Sequence, residues 1–499
     1  MLTAGSQRLK HEPLREEIIT TGYERFRIQT CSAPPRRKEP RPFNPEVDKI
    51  RLAKWLIGEI FEERFKLRHR AYRRALLSRP CIYGTFSGRF GGFHPIRDKC
   101  VGCMRCVEEQ PGMCKVSRNL EFFDFADSYW VPREPTTAVS SPVATVSYEA
   151  STGKIPIKGM GYRDSFADEG WDSMWTDMSE IVRPTRDGVY GREYISTSVD
   201  VGRKPRLLEF DDHQVMQRSK TIEIPVPMIF DYLPDNLNSP SIVRSAAAAA
   251  TRLGTLCMAS PEQMGRIDSS LCKRIVPLIS PSDLSKHARI IAGALAVELT
   301  EYDSRFVEGV RELNPEAPIS ARLPLNENAG AQAAKMAREG VDIIHGFADY
   351  HGRAWEPHNP RFVKDLIRSV HGTLVKESLR DEVTLIASGG ITLAEHVPKA
   401  IACGADLVAL NTTILVALQA RFEGECASSR NGQIRPEHFD QTWGEQRLVN
   451  LAGSWHDQLI EILSAMGMRD VRRLRGDVGR AMFREDLEKE AFSDIVQRA

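Results

Sequence analysis

The feature that most constrains this chain is an alternation that begins at Thr221, in which short apolar runs and amphipathic helical patterns follow one another in strict succession, eight times. The strand candidates are Pro225 to Phe230, Gly254 to Ala259, Arg274 to Ile279, Leu295 to Leu299, Pro318 to Leu323, Val341 to His345, Val383 to Ala387 and Asp406 to Leu410. Helical stretches lie between them, among them Ser241 to Arg252, Ser282 to Ile291, Ser304 to Leu313, Asn328 to Arg338, Arg361 to Val370 and Ala394 to Ala402. Apolar runs without polar alternation are what a strand buried on both faces requires, and strict βα succession implies a parallel sheet. Eight units over 221–426 predict an α/β fold of the (β/α)8 TIM barrel type. An open doubly wound sheet is disfavoured, because the first strand leads into Asp231-Tyr232-Leu233-Pro234 and not into a glycine-rich dinucleotide turn.

With 499 residues the chain has more than one domain. Residues 1–80 read as a basic arm rich in Pro, Arg and Lys, ordered only against a partner, followed by a long helix that starts at Asn44-Pro45-Glu46 and ends before Pro80. Residues 81–129 are rich in Gly, Cys and aromatics and suit a small segment organised by a cofactor. A polar connector spans 130–220, and 427–499 is a helical C-terminal region. A net charge of +1 gives no reason to expect nucleic acid. No stretch approaches the roughly 18 to 20 apolar residues of a membrane span, and Met1 to Lys10 has no apolar signal core, so a cytoplasmic location is expected.

Two constellations carry chemistry. Ser388-Gly389-Gly390 closes the seventh strand and Asn411-Thr412-Thr413 the eighth, each before a helix, where barrels bind phosphate through backbone N–H groups and, here, two hydroxyls. The plain alternative for the first is a tight βα turn. The second is Cys100, Cys103 and Cys106 at the spacing of a ferredoxin loop, which places successive cysteines on successive irons of a cluster. Gln110-Pro111 stands where a fourth cysteine commonly precedes proline, leaving Cys114, Cys81 or Cys31 as fourth ligand, with Cys114 preferred. A three-iron cluster, or a zinc site using His94, are the alternatives to a four-iron one. His345, His351 and His396 are acid–base candidates at the barrel mouth, with none assigned.

The stretch LIASGGITLAEHVPKAIACGADLVALNTTILVAL (385–418) resembles the FMN-phosphate region of the synthase domain of glutamate synthases. GKIPIKGMGYRD (153–164), RPTRDGVYGREYISTSVD (183–200) and RLVNLAGSWHDQLIEILSAMGMRDVRRLRGD (447–477) are similar to segments that flank the barrel in ferredoxin-containing members of that group. The resemblance implies an FMN barrel with a small ferredoxin-like segment before it, holding a 4Fe-4S or 3Fe-4S cluster. It implies that Ser388, Gly389, Gly390, Asn411, Thr412 and Thr413 anchor the flavin phosphate. Arg322 stands where the family has lysine beside the flavin pyrimidine edge, where charge accumulates on reduction; the cation is kept and its geometry changed.

The sequence departs from the family after strand six (HGFADYHGRAW, 345–355), after strand four (Glu298 to Phe306) and after strand two (Ser260-Pro261-Glu262-Gln263). It keeps only Cys426 of a three-cysteine motif after the barrel, and it opens Met1-Leu2-Thr3 with no nucleophilic cysteine. The function implied is a flavin- and iron–sulfur-dependent oxidoreductase that reductively aminates 2-oxoglutarate or a related small molecule, served by an electron-donor or glutaminase-type partner protein. The alternative is a catalytically silent scaffold or electron-transfer subunit.

Overall fold

The computed structural model describes residues 26–37, 43–54, 57, 81, 83–87, 93–100, 102–119, 142–155, 170–176, 194–206, 210–211, 214–215, 220–355, 360–420, 422–424, 432–434, 438–487 and 489–490. Most of the long helix expected up to Pro80, the segments 156–164 and 183–193, and Cys426 lie outside the described residues.

Eight strands close into a parallel barrel: β1 Met228–Phe230, β2 Cys257–Ala259, β3 Ile275–Ile279, β4 Val297–Leu299, β5 Ile319–Pro324, β6 Ile343–Phe347, β7 Thr384–Ser388 and β8 Leu407–Leu410. Their spatial order follows the chain around, β8 pairing with β1 to shut the sheet. Each expected strand overlaps an observed one. The reason is visible in β3, where Ile275, Val276, Pro277, Leu278 and Ile279 are all buried, as a strand covered on both faces demands.

The helices between them begin where local chemistry starts them. Ser239 accepts the N–H of Ile242 ahead of Pro240, and the helix Pro240–Leu253 stops at Gly254, whose φ of +69° suits the left-handed turn. Asp303 likewise caps Ser304–Leu313. One helix differs from expectation. Ser282 to Ile291 divides into a 3-10 turn, Pro281–Asp283, and a short helix, Ala288–Ala292, because Asp283 folds back onto the N–H and hydroxyl of Ser280.

The amino-terminal end of the barrel is sealed by the antiparallel pair Val199–Arg203 and Lys220–Ile224. The N–H of Gly202 donates to Thr384 Oγ1 at 2.9 Å, and Arg203 donates to the carbonyls of Ala337 and Val341 and to Glu382. At the flank, the helix Gln441–Ala465 packs on Pro240–Leu253 and on Pro142–Thr152, the latter lying in the stretch read as a polar connector. Trp455 Nε1 donates to Glu149 Oε2 at 2.8 Å within that contact.

Two features of the N-terminal region correct the sequence reading. Asn44-Pro45-Glu46 does not start a helix. It lies in the strand Phe43–Val47, paired antiparallel with Cys114–Arg118, and the helix starts after Asp48, which accepts the N–H groups of Ile50 and Arg51. A proline is tolerated in a two-stranded sheet because one of its edges needs no donor. Residues 26–37, expected to order only against a partner, find it within the chain: Asn450 donates to the Cys31 carbonyl and accepts its N–H, and the Arg36 guanidinium lies over the rings of Phe439 and Trp443.

Candidate functional site

At the carboxyl end of the barrel, charged side chains from strands far apart in sequence converge. Arg322 on β5 donates to Asp231 Oδ1 at 2.9 Å and to Glu298 Oε1 at 3.0 Å. His345 on β6 places Nδ1 3.0 Å from Glu298 Oε1, and Ser320 donates to Glu298 Oε2. Ser388 at the end of β7 donates to Asp231 Oδ2, and Asn411 after β8 reaches Ser388 at 3.4 Å. Asp231, Glu298 and His345 are almost wholly buried, while the Arg322 side chain keeps 14 % of its surface. The guanidinium lies over the Phe347 ring at 4.8 Å, with Trp355 edge-on to that ring.

Burial alone would raise the Asp231 carboxyl, but Arg322, then His345 and the Ser388 hydroxyl, hold it below its ordinary 3.8. Burial works against the Arg322 charge too, yet Asp231 and Glu298 drive its pKa above the ordinary value. The cation expected at strand five is therefore present and permanent, and it is matched by two buried carboxylates instead of pairing at the surface.

Beside this network lies the expected phosphate loop. Gly389 and Gly390 have φ of +94° and +68°, and a Cβ on Gly389 would come within 2.5 Å of the Asp349 carbonyl oxygen. The loop is thus packed against the divergent segment after β6, and Trp171 Nε1 donates to the Gly390 carbonyl at 3.0 Å. Among the described residues no acceptor is paired with the backbone N–H groups of Gly389, Gly390 and Ile391, all buried, or with that of Thr413. Such consecutive orphan donors are what an anion satisfies. The hydroxyls of Thr412 and Thr413, expected as phosphate donors, are engaged within the protein instead, by Asn411 Oδ1 and the Ile391 carbonyl.

Sequence reasoning missed Asp231 and Glu298. The signal for Glu298 was available: it is the single charge in the strand Val297–Leu299, and an unpaired carboxylate does not sit in a barrel interior. Neither His351 nor His396 joins the network. His396 Nδ1 accepts the N–H of Thr392, and its ring stacks on Trp171.

The cysteine region is a separate small core built from Cys81, Phe86, Cys106 and Cys114. Met104 and Gly102, both at positive φ, turn the chain between the motif cysteines. A pocket enclosing about 300 Å³ of empty space, its open mouth included, is lined by Cys81, Cys100, Cys103 and Cys106, together with Tyr83 and Thr85. Cys114, on the strand Cys114–Arg118, is coupled electrostatically to Cys106 and does not line the pocket. Burial pushes the Cys100 thiol up to about 11. His94, the zinc alternative, is exposed and likewise not among the lining residues.

A family model described as a conserved region in glutamate synthase matches residues 297–469, from β4 through the long C-terminal helix. An archaeal-type NADPH glutamate synthase of Dehalococcoides mccartyi is 27 % identical over 76 % of this chain and 86 % of its own length. Over that region this chain is similar to the glutamate synthases. An archaeal NADPH glutamate synthase of Archaeoglobus fulgidus aligns at 23 % identity over 76 % of this chain and 85 % of its own. Among solved structures, the flavin-binding domain of baker's yeast flavocytochrome b2 superposes with a TM-score of 0.41 at 13 % identity, covering 64 % of this chain and 78 % of that one. The region matched by the family model contains Glu298, Arg322, His345 and both expected phosphate loops. No described helix is long and apolar enough to cross a membrane.

Proposed function

We propose that this protein is a flavin- and iron–sulfur-dependent oxidoreductase of glutamate synthase type, which reductively aminates 2-oxoglutarate or a closely related oxo acid. The observation that carries the reading is the run of buried, unpaired N–H groups at Gly389, Gly390 and Ile391, joined by Thr413 across the barrel mouth. They fit the phosphate of FMN, and Ser388 and Asn411 hold the two loops in place through their shared bond. Bound FMN would supply hydride transfer to an imine carbon. Arg322, braced by Asp231 and Glu298, offers a fixed positive charge at the mouth, where it would balance the charge that builds on the reduced flavin ring. His345, its Nδ1 on Glu298, has a buried Nε2 with no hydrogen-bond partner among the described residues, Asp231 Oδ1 lying 4.0 Å away, and it stands one strand from that cation.

Cys100, Cys103 and Cys106 are proposed to hold a cluster that relays single electrons between a donor protein and the flavin. The buried hydroxyls of Tyr83 and Thr85, which line the cysteine pocket and have no partner among the described residues, fit donors to cluster sulfur. A separate electron-donor or glutaminase-type protein would complete the reaction.

One observation favours a second reading, a silent scaffold or electron-transfer subunit. The segment after β6, where the sequence departs from the family, packs directly on the phosphate loop. Anaerobic purification followed by flavin extraction and iron and sulfide assay separates the two. FMN together with ammonia-dependent consumption of 2-oxoglutarate supports the enzyme; FMN without turnover supports the electron-transfer subunit, and its absence after reconstitution leaves a scaffold.

A further inference from the structure

We propose that Cys81, and not Cys114, supplies the fourth thiolate of a four-iron cluster whose other ligands are Cys100, Cys103 and Cys106. The inference rests on the iron–sulfur part of the function proposed above. Three consecutive motif cysteines serve one corner of a cubane each, and the fourth iron needs a sulfur from elsewhere in the chain, because Gln110 stands at the usual place before Pro111. Two cysteines are close enough to compete for that role.

Four observations separate them. The pocket wall contains the sulfur-bearing residues Cys81, Cys100, Cys103 and Cys106 and omits Cys114. Cys81 is treated by the backbone as the motif cysteines are. The N–H of Thr85 donates to the Cys81 sulfur at 3.4 Å, and the backbone at Gly102 and at Val107 favours the thiolates of Cys100 and Cys106. Such N–H···S bonds stabilise cluster thiolates and tune their potential. Cys114, by contrast, is coupled electrostatically to the Cys106 thiol, which makes it a neighbour of a ligand. Finally, the segment that carries Cys81 also brings Tyr83 and Thr85, whose buried hydroxyls lack any partner among the described residues and border the same pocket. Cys81 and residues 83–86 thus form the wall facing the motif cysteines, with a ligand and two donors on it.

The spacing suits a cluster better than a single ion. Among the described residues no three cysteine sulfurs lie within 4.8 Å of one another. Four thiolates on one zinc stand about 3.8 Å apart, given Zn–S bonds of about 2.3 Å. Sulfurs bound to different irons of a cubane stand further apart than that. In assembly, each of the four thiols releases its proton to solvent as its S–Fe bond forms. Two ferrous ions, two ferric ions and four sulfides complete the core without a further oxidant.

The test is anaerobic reconstitution of the full chain with equal ferrous and ferric iron and inorganic sulfide, in wild type, Cys81→Ala, Cys81→Ser and Cys114→Ala. Iron and sulfide are counted per chain and EPR spectra recorded, and far-UV circular dichroism confirms folding. Wild type is expected to hold about four irons and about four sulfides. Cys81→Ala should fall to about three irons, with the EPR signal of an oxidised three-iron cluster, and should regain the fourth iron when a small external thiol is added. Cys81→Ser should keep the iron with an altered reduced-state signal, and Cys114→Ala should keep all of it. The inference is overturned by a full four-iron cluster in Cys81→Ala, by an unchanged spectrum in Cys81→Ser, by iron loss in Cys114→Ala equal to that in Cys81→Ala, or by a three-iron or zinc-only wild type. A wild type that binds flavin but neither iron nor sulfide overturns the iron–sulfur reading itself.

Discussion

The barrel mouth and the cysteine pocket answer the same problem, polar groups held away from water, in opposite ways. At the mouth Arg322, Asp231, Glu298, Ser320, Ser388 and Asn411 satisfy one another across five strands and the loops that follow them. In the pocket, the hydroxyls of Tyr83 and Thr85 have no hydrogen-bond partner among the described residues, and no three of the described cysteine sulfurs lie within 4.8 Å of one another. On the function proposed above, the difference separates a region built before its cofactor arrives from one completed by it. The mouth is organised by its own side chains and leaves open backbone donors and His345 Nε2, whereas the pocket, on the function proposed above, is completed by a cluster.

If that contrast holds, the largest effect comes from cutting the mouth network at its most buried member. Glu298→Ala leaves Arg322, His345 and Ser320 without their shared acceptor in a fully buried place, and it is expected to cost about 3–5 kcal/mol. Glu298→Gln, which keeps the shape and one acceptor, should cost less. Urea unfolding followed by fluorescence reads both. A loss under about 1 kcal/mol in the alanine variant would mean the network is not preformed.

A smaller effect is expected at the phosphate loop. Gly389→Ala meets the Asp349 carbonyl oxygen at 2.5 Å and must hold a φ of +94°, so stability should fall by about 1–3 kcal/mol. Flavin retention after gel filtration should fall with it. Full retention of FMN by a folded Gly389→Ala protein would place the flavin phosphate elsewhere.

Acid should weaken the barrel in a defined window. Asp231 at the mouth and Asp406 at the other end both have carboxyls held below 3.8, because Arg322 in one case and Arg380 with Arg475 in the other outweigh the burial that would raise them. A depressed folded pKa contributes stability that is complete above the unfolded value and drains as pH falls through the folded one. Urea midpoints should therefore be flat above about pH 5 with respect to these groups and drop below about pH 4. Asp231→Asn should be less stable at neutral pH and show a shallower drop.

The barrel was legible because its signal is repeated and local: apolar runs of strand length, caps such as Ser239 and Asp303, and glycine at a helix end. The mouth network was not, because Asp231, Glu298 and Arg322 are brought together only by closure of the sheet. The Asn44-Pro45-Glu46 misreading has the same origin. Its helix-start chemistry is sound locally, but pairing with Cys114–Arg118, far along the chain, overrides it. Asp48, four residues later, does the capping. In the cysteine segment the motif spacing was readable, while the approach of Cys81 to it was not, since nothing local links position 81 to the loop.

The smallest effect tests the contrast most directly. Cys103 belongs to a pocket whose core of Cys81, Phe86, Cys106 and Cys114 shares no member with the barrel core. If the two regions are organised independently, Cys103→Ala should abolish or cripple cluster assembly while moving the barrel's unfolding free energy by less than about 0.5 kcal/mol, the range of a substitution away from a core. Circular dichroism in urea, with iron counted on the same samples, gives both numbers. A drop of about 2 kcal/mol or more in the barrel transition would mean that the pocket, once filled, holds the barrel as well as itself, and the division into a preformed mouth and a cofactor-organised pocket would have to be abandoned.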